Sequence, residues 1–450
     1  MANLIFSRRA LQKRLESLEA ILTADVHRHL IARLENPGRD RLAAVWEAVM
    51  LLALHSVSPL RHESPLADGS RPDFALTYVH GGAAFEIVGD ITSVSDKGLH
   101  DNNPVGHFWR EIVRLARKHQ LNPNHFRYDI KSRSDGEYGD SRTVLLLPPR
   151  KELSALLKQE IEPFVRGLTR DPVTHASLPC SAPGVAFTLT YDQTQRFGGG
   201  GHAVYNIPYS RTKTPIYTAL HKKADQLRHA PANALRVVIA CDADCNAMSR
   251  AHASGHGSYS ATEVTADFLR KTSAVDIVLL VTTERVKPFD RWDHSLRPRT
   301  DFVVTPKAEQ SSRLTVEAIA AVETLLRDAV RTLPTPMFDA RNAALRCDAR
   351  DYGLGFHGGS TMSDKTIRIS SREVLELLGG TVSTAEFDRR HRWGKASAPN
   401  GPSNPFASAL ARGEMIASVA VIDGEDHDDD WLEFRLGEPD PAISPFQRIK

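Results

Sequence analysis

Cysteine is scarce in this chain: Cys180, Cys241, Cys245 and Cys347 are the only four in 450 residues. Thiols so few and so scattered do not build a disulfide framework, and a reducing, cytoplasmic setting is the expectation. Long apolar runs are absent as well. No uncharged stretch is long enough to span a bilayer, so no membrane partner is expected. The start of the chain, MANLIFSRRALQKRLESLEAIL, carries charges throughout and lacks the apolar centre of a secretory signal. Nor is there an excess of charge. The 57 Lys and Arg against 55 Asp and Glu leave +2, so any nucleic-acid surface must be a local patch.

What is present is ordinary globular composition, 41% hydrophobic and 25% charged, in a chain long enough for two domains. β-prone runs near residues 74, 84, 143, 185, 236 and 276 alternate with helical patterns near 104, 152, 216 and 261. That alternation predicts an α/β fold, a mixed sheet flanked by helices. From about Asp290 the composition turns polar, with Pro298 and Pro306. We therefore expect an α/β domain over 1–290, helical in its N-terminal part, and a smaller, mainly helical accessory domain over 291–450. Two capping boxes, Ser370–Glu373 and Ser383–Glu386, open two short helices joined through Gly379-Gly380. Over 370–393 this pattern is compatible with a helix-turn-helix whose Arg389, Arg390 and Arg392 would meet nucleic acid. The acidic run DGEDHDDD (423–430) lacks the spaced ligands of a calcium loop and reads as a solvated loop. The glycines of RFGGGGHAVYN (196–206) have no phosphate-loop lysine beside them and read as a mobile loop.

The chemistry is concentrated in SRPDFALTYVHGGAAFEIVGDIT (70–92). Two β-prone runs meet at Gly81-Gly82, the pattern of a hairpin. Such a hairpin can carry the carboxylates of Asp73 and Glu86 to one end of a sheet. Paired acids on rigid strands suit a hard cation such as Mg²⁺ or Mn²⁺, which activates water and polarises a phosphodiester. Upstream, Leu42–Leu54 reads as a buried helix whose one charge, Glu47, needs a partner, a proton or a metal. Downstream, Thr214-Pro215 opens a helix with the stripe Ile216, Leu220, Lys223, Leu227, which puts Lys223 on the buried face. RVVIA (236–240) reads as a central strand leading to Asp242 and Asp244, acids at a strand end where α/β sheets bind ligands. A zinc set of Cys241, Cys245, His252 and His256 matches no familiar spacing, and a polar strand-end turn is the simpler reading.

Pro72-Asp73 followed by Glu86 on the next strand resembles the PD-(D/E)XK nuclease superfamily, whose members set an acid on each of two adjacent strands. The resemblance covers about the first two-thirds of the chain. It implies a restriction-endonuclease-like core and Mg²⁺- or Mn²⁺-dependent hydrolysis of nucleic acid, with DNA the expected substrate. Asp73 and Glu86 would hold the metal, helped by the main chain at Val88, and Glu47 would support them. The family's lysine, two residues after the second acid, is replaced here by Val88. Lys223 or Lys97 would then supply the missing charge. Large members of this kind often serve in bacterial defence, which makes an operon partner or a homodimer an expectation. The lost lysine equally allows a catalytically inactive relative that binds nucleic acid or a partner protein.

Overall fold

The structure is a computed structural model, which describes residues 4–137, 139–249, 257–286, 296–341, 343–347, 360–363, 365–391, 393–394, 403–440 and 442. Helices are α1 (Arg8–Leu18), α2 (Ala24–Glu35), α3 (Arg39–Val57), α4 (Lys97–Asn102), α5 (Val105–Lys118), α6 (Leu153–Leu156), α7 (Glu162–Arg170) and α8 (Pro215–Leu227). They continue as α9 (Asn246–Ser249), α10 (Ala261–Lys271), α11 (Val316–Arg331), α12 (Ala343–Arg346), α13 (Ser371–Leu378), α14 (Thr384–Arg390) and α15 (Pro405–Ala411). Two compact units divide the chain: Arg28–Leu333 with Asp339–Ala349, and Met1–His27 with Pro334–Phe338 and Arg350–Lys450.

The larger unit is built on a six-stranded mixed sheet. Its strands are β1 (Leu60–His62), β2 (Phe74–His80), β3 (Ala83–Val94), β10 (Leu235–Asp242), β11 (Ile277–Arg285) and β12 (Leu296–Val304), in that spatial order. β1–β2–β3 is an antiparallel meander, β10 and β11 run parallel to β3, and β12 returns antiparallel. Parallel strands covered on both faces should be almost wholly apolar. β10 meets that demand with Val237, Val238, Ile239, Ala240 and Cys241 all buried. On one face α8 and α10 pack through Ile216, Leu220, Val264 and Phe268 onto Ala75, Val88, Val238 and Val278. α3 and α11 pack against each other and also contact this sheet. The mixed α/β architecture expected from the sequence is present.

Between β3 and α8 lies an insertion with its own core. β4 (Phe126–Ile130), β7 (His175–Ala182), β8 (Val185–Asp192) and β9 (Gly199–His202) form a second sheet, and β5 (Ser132–Asp135) pairs with β6 (Arg142–Leu145). Phe108, Ile112 and Leu115 of α5 bury against Phe126, Phe187 and Leu189. The glycine run is thus a strand rather than a loop: β9 lies parallel to β4. A Cβ on Gly200 would stand 2.1 Å from the Tyr128 carbonyl oxygen, so the close approach of backbone to backbone requires glycine there.

The expected boundary near 290 does not coincide with the units, because β12 and α11 complete the larger one. Nor is the C-terminal region mainly helical. β13 (Ser360–Ser363), β14 (Thr366–Ser370), β15 (Ile416–Ile422) and β16 (Trp431–Leu436) form an antiparallel sheet in the order β13-β14-β16-β15. α13 and α14 do form a short helical pair, and their core with this sheet includes Ile367, Ile369, Phe387, Trp393 and Leu436. The acidic run is tied down instead of solvated. Arg9 on α1 meets Asp430 at 2.7 Å, Arg14 meets Asp426 at 2.7 Å, and Arg372 meets Asp429 at 2.6 Å.

Candidate active site

The two-residue turn sets the site. Gly81 and Gly82 both take positive φ, 58° and 82°, the conformation of a turn that follows strand twist. His80 therefore pairs with Ala83, and the ladder runs back through Thr77–Glu86 to Phe74–Gly89. One step further, Asp73 faces Asp90. The two are cross-linked through the backbone: Asp73 N–H donates to Asp90 Oδ1 at 3.3 Å, and Ile91 N–H donates to Asp73 Oδ2 at 2.6 Å.

Lys223 of α8 completes the pair. Its Nζ stands 3.0 Å from Asp90 Oδ1 and 3.3 Å from Asp73 Oδ2. The Asp90 side chain is fully buried and that of Lys223 only 14% exposed. Burial, then the charge of Asp73, pushes the Asp90 carboxyl up to about 7, although Lys223 pulls it the other way. Burial acts to lower the Lys223 ammonium, but Asp73 and Asp90 outweigh it and hold it above its ordinary value. The second oxygen of Asp90, Oδ2, is buried with no hydrogen-bond partner. A buried carboxylate oxygen left without a donor calls for a proton or a cation.

Two further side chains border the pair. Glu47 on α3 accepts from Arg33 at 2.7 Å, and burial raises its carboxyl, with Asp73 adding and Lys223 opposing. His62 on β1 is lowered by burial while Asp73 raises it, and its Nε2 is buried without a partner.

The expected second acid is thus the wrong one geometrically. Glu86 sits opposite Thr77 and accepts from its hydroxyl at 2.6 Å. It lies four residues before Asp90, about 13 Å away along the strand. Val88 sits between ladder neighbours Ala75 and Arg236, and its side chain is in the apolar core under α8. Lys97 opens α4 and lines a cavity that neither Asp73 nor Asp90 borders. Asp73, Glu47 and Lys223 do converge. Asp90 and His62 were missed, though counting the register outward from Gly81-Gly82 pairs 73 with 90. In the smaller unit, Arg390 meets Glu376 at 3.0 Å, and Arg389 is bonded to Glu386. These arginines are committed to neighbouring acids. Arg392 lies outside the described residues, as do His252 and His256.

Asp242 serves a strand-end turn. Its Oδ1 accepts from the N–H groups of Asp244 and Cys245 at 3.1 and 2.8 Å, and Oδ2 from Thr282 at 2.5 Å. Burial nonetheless raises its carboxyl to about 7. Among the described residues no ready-made group of three or more His, Cys, Asp or Glu ligands exists, and no helix is long and apolar enough to cross a membrane. Comparison with family models, curated proteins and solved structures gave no match.

Proposed function

We propose that the larger unit is a metal-dependent phosphodiesterase acting on nucleic acid, with its centre at Asp73, Asp90, Lys223 and Glu47. The observation that carries this reading is the facing Asp73–Asp90 pair with one buried, unpartnered carboxylate oxygen and one lysine ammonium touching both acids. The donors are carboxylate oxygens, the ligands hard divalent cations prefer, and Mg²⁺ commonly binds through one or two carboxylates plus water and substrate phosphate. A pair of acids without a third ligand therefore fits the ion. When bound, Mg²⁺ or Mn²⁺ would supply Lewis-acid polarisation of the phosphate and activation of water.

The chain's own residues have separate tasks. Asp73 and Asp90 would hold the cation, their carboxylates placed by the N–H groups of Asp73 and Ile91 that donate to them across the β2–β3 pair. Lys223, released from the carboxylates, offers its ammonium to the charge that develops on the phosphate oxygens. Glu47, with its raised carboxyl, can hold a proton at the edge of the site. Helix α3, the meander β1–β2–β3, helix α8 and the parallel strand β10 follow one another along the chain, and that order supports the reading of a restriction-endonuclease-like core. In that resemblance the second acid is Asp90, Thr92 stands where the lysine is usual, and Lys223 supplies the charge from a neighbouring helix.

The test is cleavage of plasmid DNA and of RNA with Mg²⁺, Mn²⁺ or chelator. Asp73→Asn and Asp90→Asn should each lower metal-dependent cleavage at least about 100-fold, while Glu86→Gln stays within about twofold. Loss in Glu86→Gln with Asp90→Asn active would sink the assignment. One observation favours the second reading, a catalytically silent protein that binds nucleic acid: Lys223 already neutralises part of the acid pair without a metal. That reading predicts binding indifferent to chelator and no cleavage with either ion.

A further inference from the structure

We propose that a cavity in the larger unit is a receptor for a phosphate monoester, the group carried at the end of a nucleic-acid strand. The choice of a strand end as the source rests on the phosphodiesterase reading; the chemistry of the cavity does not. Its volume is about 210 Å³, and Lys97, His100, His107, Arg110, Arg150 and His202 are in its lining. That is room for about seven waters at about 30 Å³ each, enough for a phosphate and part of its sugar but not for a duplex.

Charge selects the ligand. Lys97, Arg110 and Arg150 bring three fixed positive charges to the wall, against one lining carboxylate, Asp101, which lies 3.4 Å from Arg150. Counting the fixed charges alone, the wall carries two positive charges in excess. A phosphate monoester brings about −1.5 to −2 at pH 7, whereas an internal diester brings a single charge. Two of the three cations are arginines, whose planar forks bind phosphate oxygens in pairs.

Backbone donors point the same way. Val105, Gly106 and His107, the first turn of the 14-residue helix α5, are also part of the lining. Val105 N–H is committed to Asn103 O at 2.8 Å. Those of Gly106 and His107 fall in the turn where a helix has no internal acceptor, at the positive end of its dipole. Gly106 has no side chain to shield them. Burial, then the charge of Arg150, lowers the His107 imidazole, leaving it a neutral hydrogen-bonding wall at pH 7. His100 is oriented from behind: its Nδ1 lies 2.6 Å from the Tyr205 hydroxyl and its Nε2 3.6 Å from Asp244, which is not part of the wall.

The experiment measures binding of the full chain to a fluorescent single-stranded 12-mer in chelator, so that cleavage plays no part. The strand ends in a 5′-phosphate, a 3′-phosphate or hydroxyls, and inorganic phosphate is the competitor. One phosphorylated end should bind at least tenfold tighter than the hydroxyl strand. The preference should shrink below twofold in Arg110→Ala, a change at an exposed position that leaves the core intact, and in Arg150→Ala. Saturable binding of inorganic phosphate, lost in Arg110→Ala but without preference among strands, would retain the monoester site and assign it to a small free phosphate. Equal binding of all strands with no competition by phosphate, or a preference untouched by both substitutions, would overturn the proposal. End preference without metal-dependent cleavage would remove the hydrolase reading alone, and cleavage without end preference would remove this receptor alone.

Discussion

Lys223 holds two acids on a buried face, and its removal separates structural from chemical roles. Breaking a buried ion pair on one side costs about 3–5 kcal/mol, because the remaining charge is left uncompensated. Lys223→Met should therefore lower stability strongly at pH 8 in chelator, and less at pH 5, where Asp90 takes up a proton. Thermal or urea unfolding at the two pH values reads this directly. Wild type should show its own pH dependence. The folded protein raises Asp90 to about 7, so it binds that proton more tightly than the unfolded chain does. The associated stability is fully present below the ordinary carboxylate range near pH 4 and is lost as pH climbs through 7. Asp242, also raised to about 7, loses stability over the same window. Asp90→Asn should consequently remove only part of the slope, leaving the variant more stable than wild type by more than about 1 kcal/mol at pH 8 without metal. Saturating Mn²⁺ should reverse that order by stabilising wild type alone. No change of slope in Asp90→Asn would mean that Asp90 does not carry the proton.

At the scale of elements, the meander is the part that tolerates least. A Cβ on Gly89 would stand 2.4 Å from the Phe74 ring and 2.6 Å from the Val237 carbonyl oxygen. Gly89→Ala should cost about 1–3 kcal/mol by overpacking and also spread Asp73 from Asp90, so unfolding and cleavage assays should both register it. The same meander explains what could be read from the residues alone. The helix of Glu47, the Gly81-Gly82 turn, the buried stripe that holds Lys223 and the apolar β10 were all legible, because each is written in local periodicity or turn chemistry. Asp90 was legible in principle, since a two-residue turn dictates its register, but β3 carries a second acid, Glu86, nearer the turn. Of the second sheet only β8 was legible, as the β-prone run near 185. The pairing of β4 with β9 joins residues some 70 positions apart, and a strand of three glycines and a histidine carries no hydrophobic alternation. β12 was hidden for a related reason, as LRPRTDFVV mixes proline and charge with its apolar residues. Local pattern does not register partners supplied by distant chain.

At the scale of the whole molecule, a net charge of +2 limits how nucleic acid can be held. A protein that covers a strand with a broad basic face releases many counterions and loses affinity steeply with salt. The α4–α5 cavity gathers three fixed cations, while Arg390 and Arg389 are paired with acids on α13 and α14. With the roughly two charges of one terminal phosphate neutralised, the logarithm of the binding constant for a single strand should fall with log salt at a slope of about −1.4. Titrations between about 50 and 300 mM salt would measure it. Arg110→Ala should flatten the slope by about 0.7, the share of one contact, and Arg390→Ala should leave it unchanged. A slope of about −5 or steeper would instead require an extended basic surface. Loss of slope in Arg390→Ala would move the contact to the smaller unit and restore the helix-turn-helix expectation.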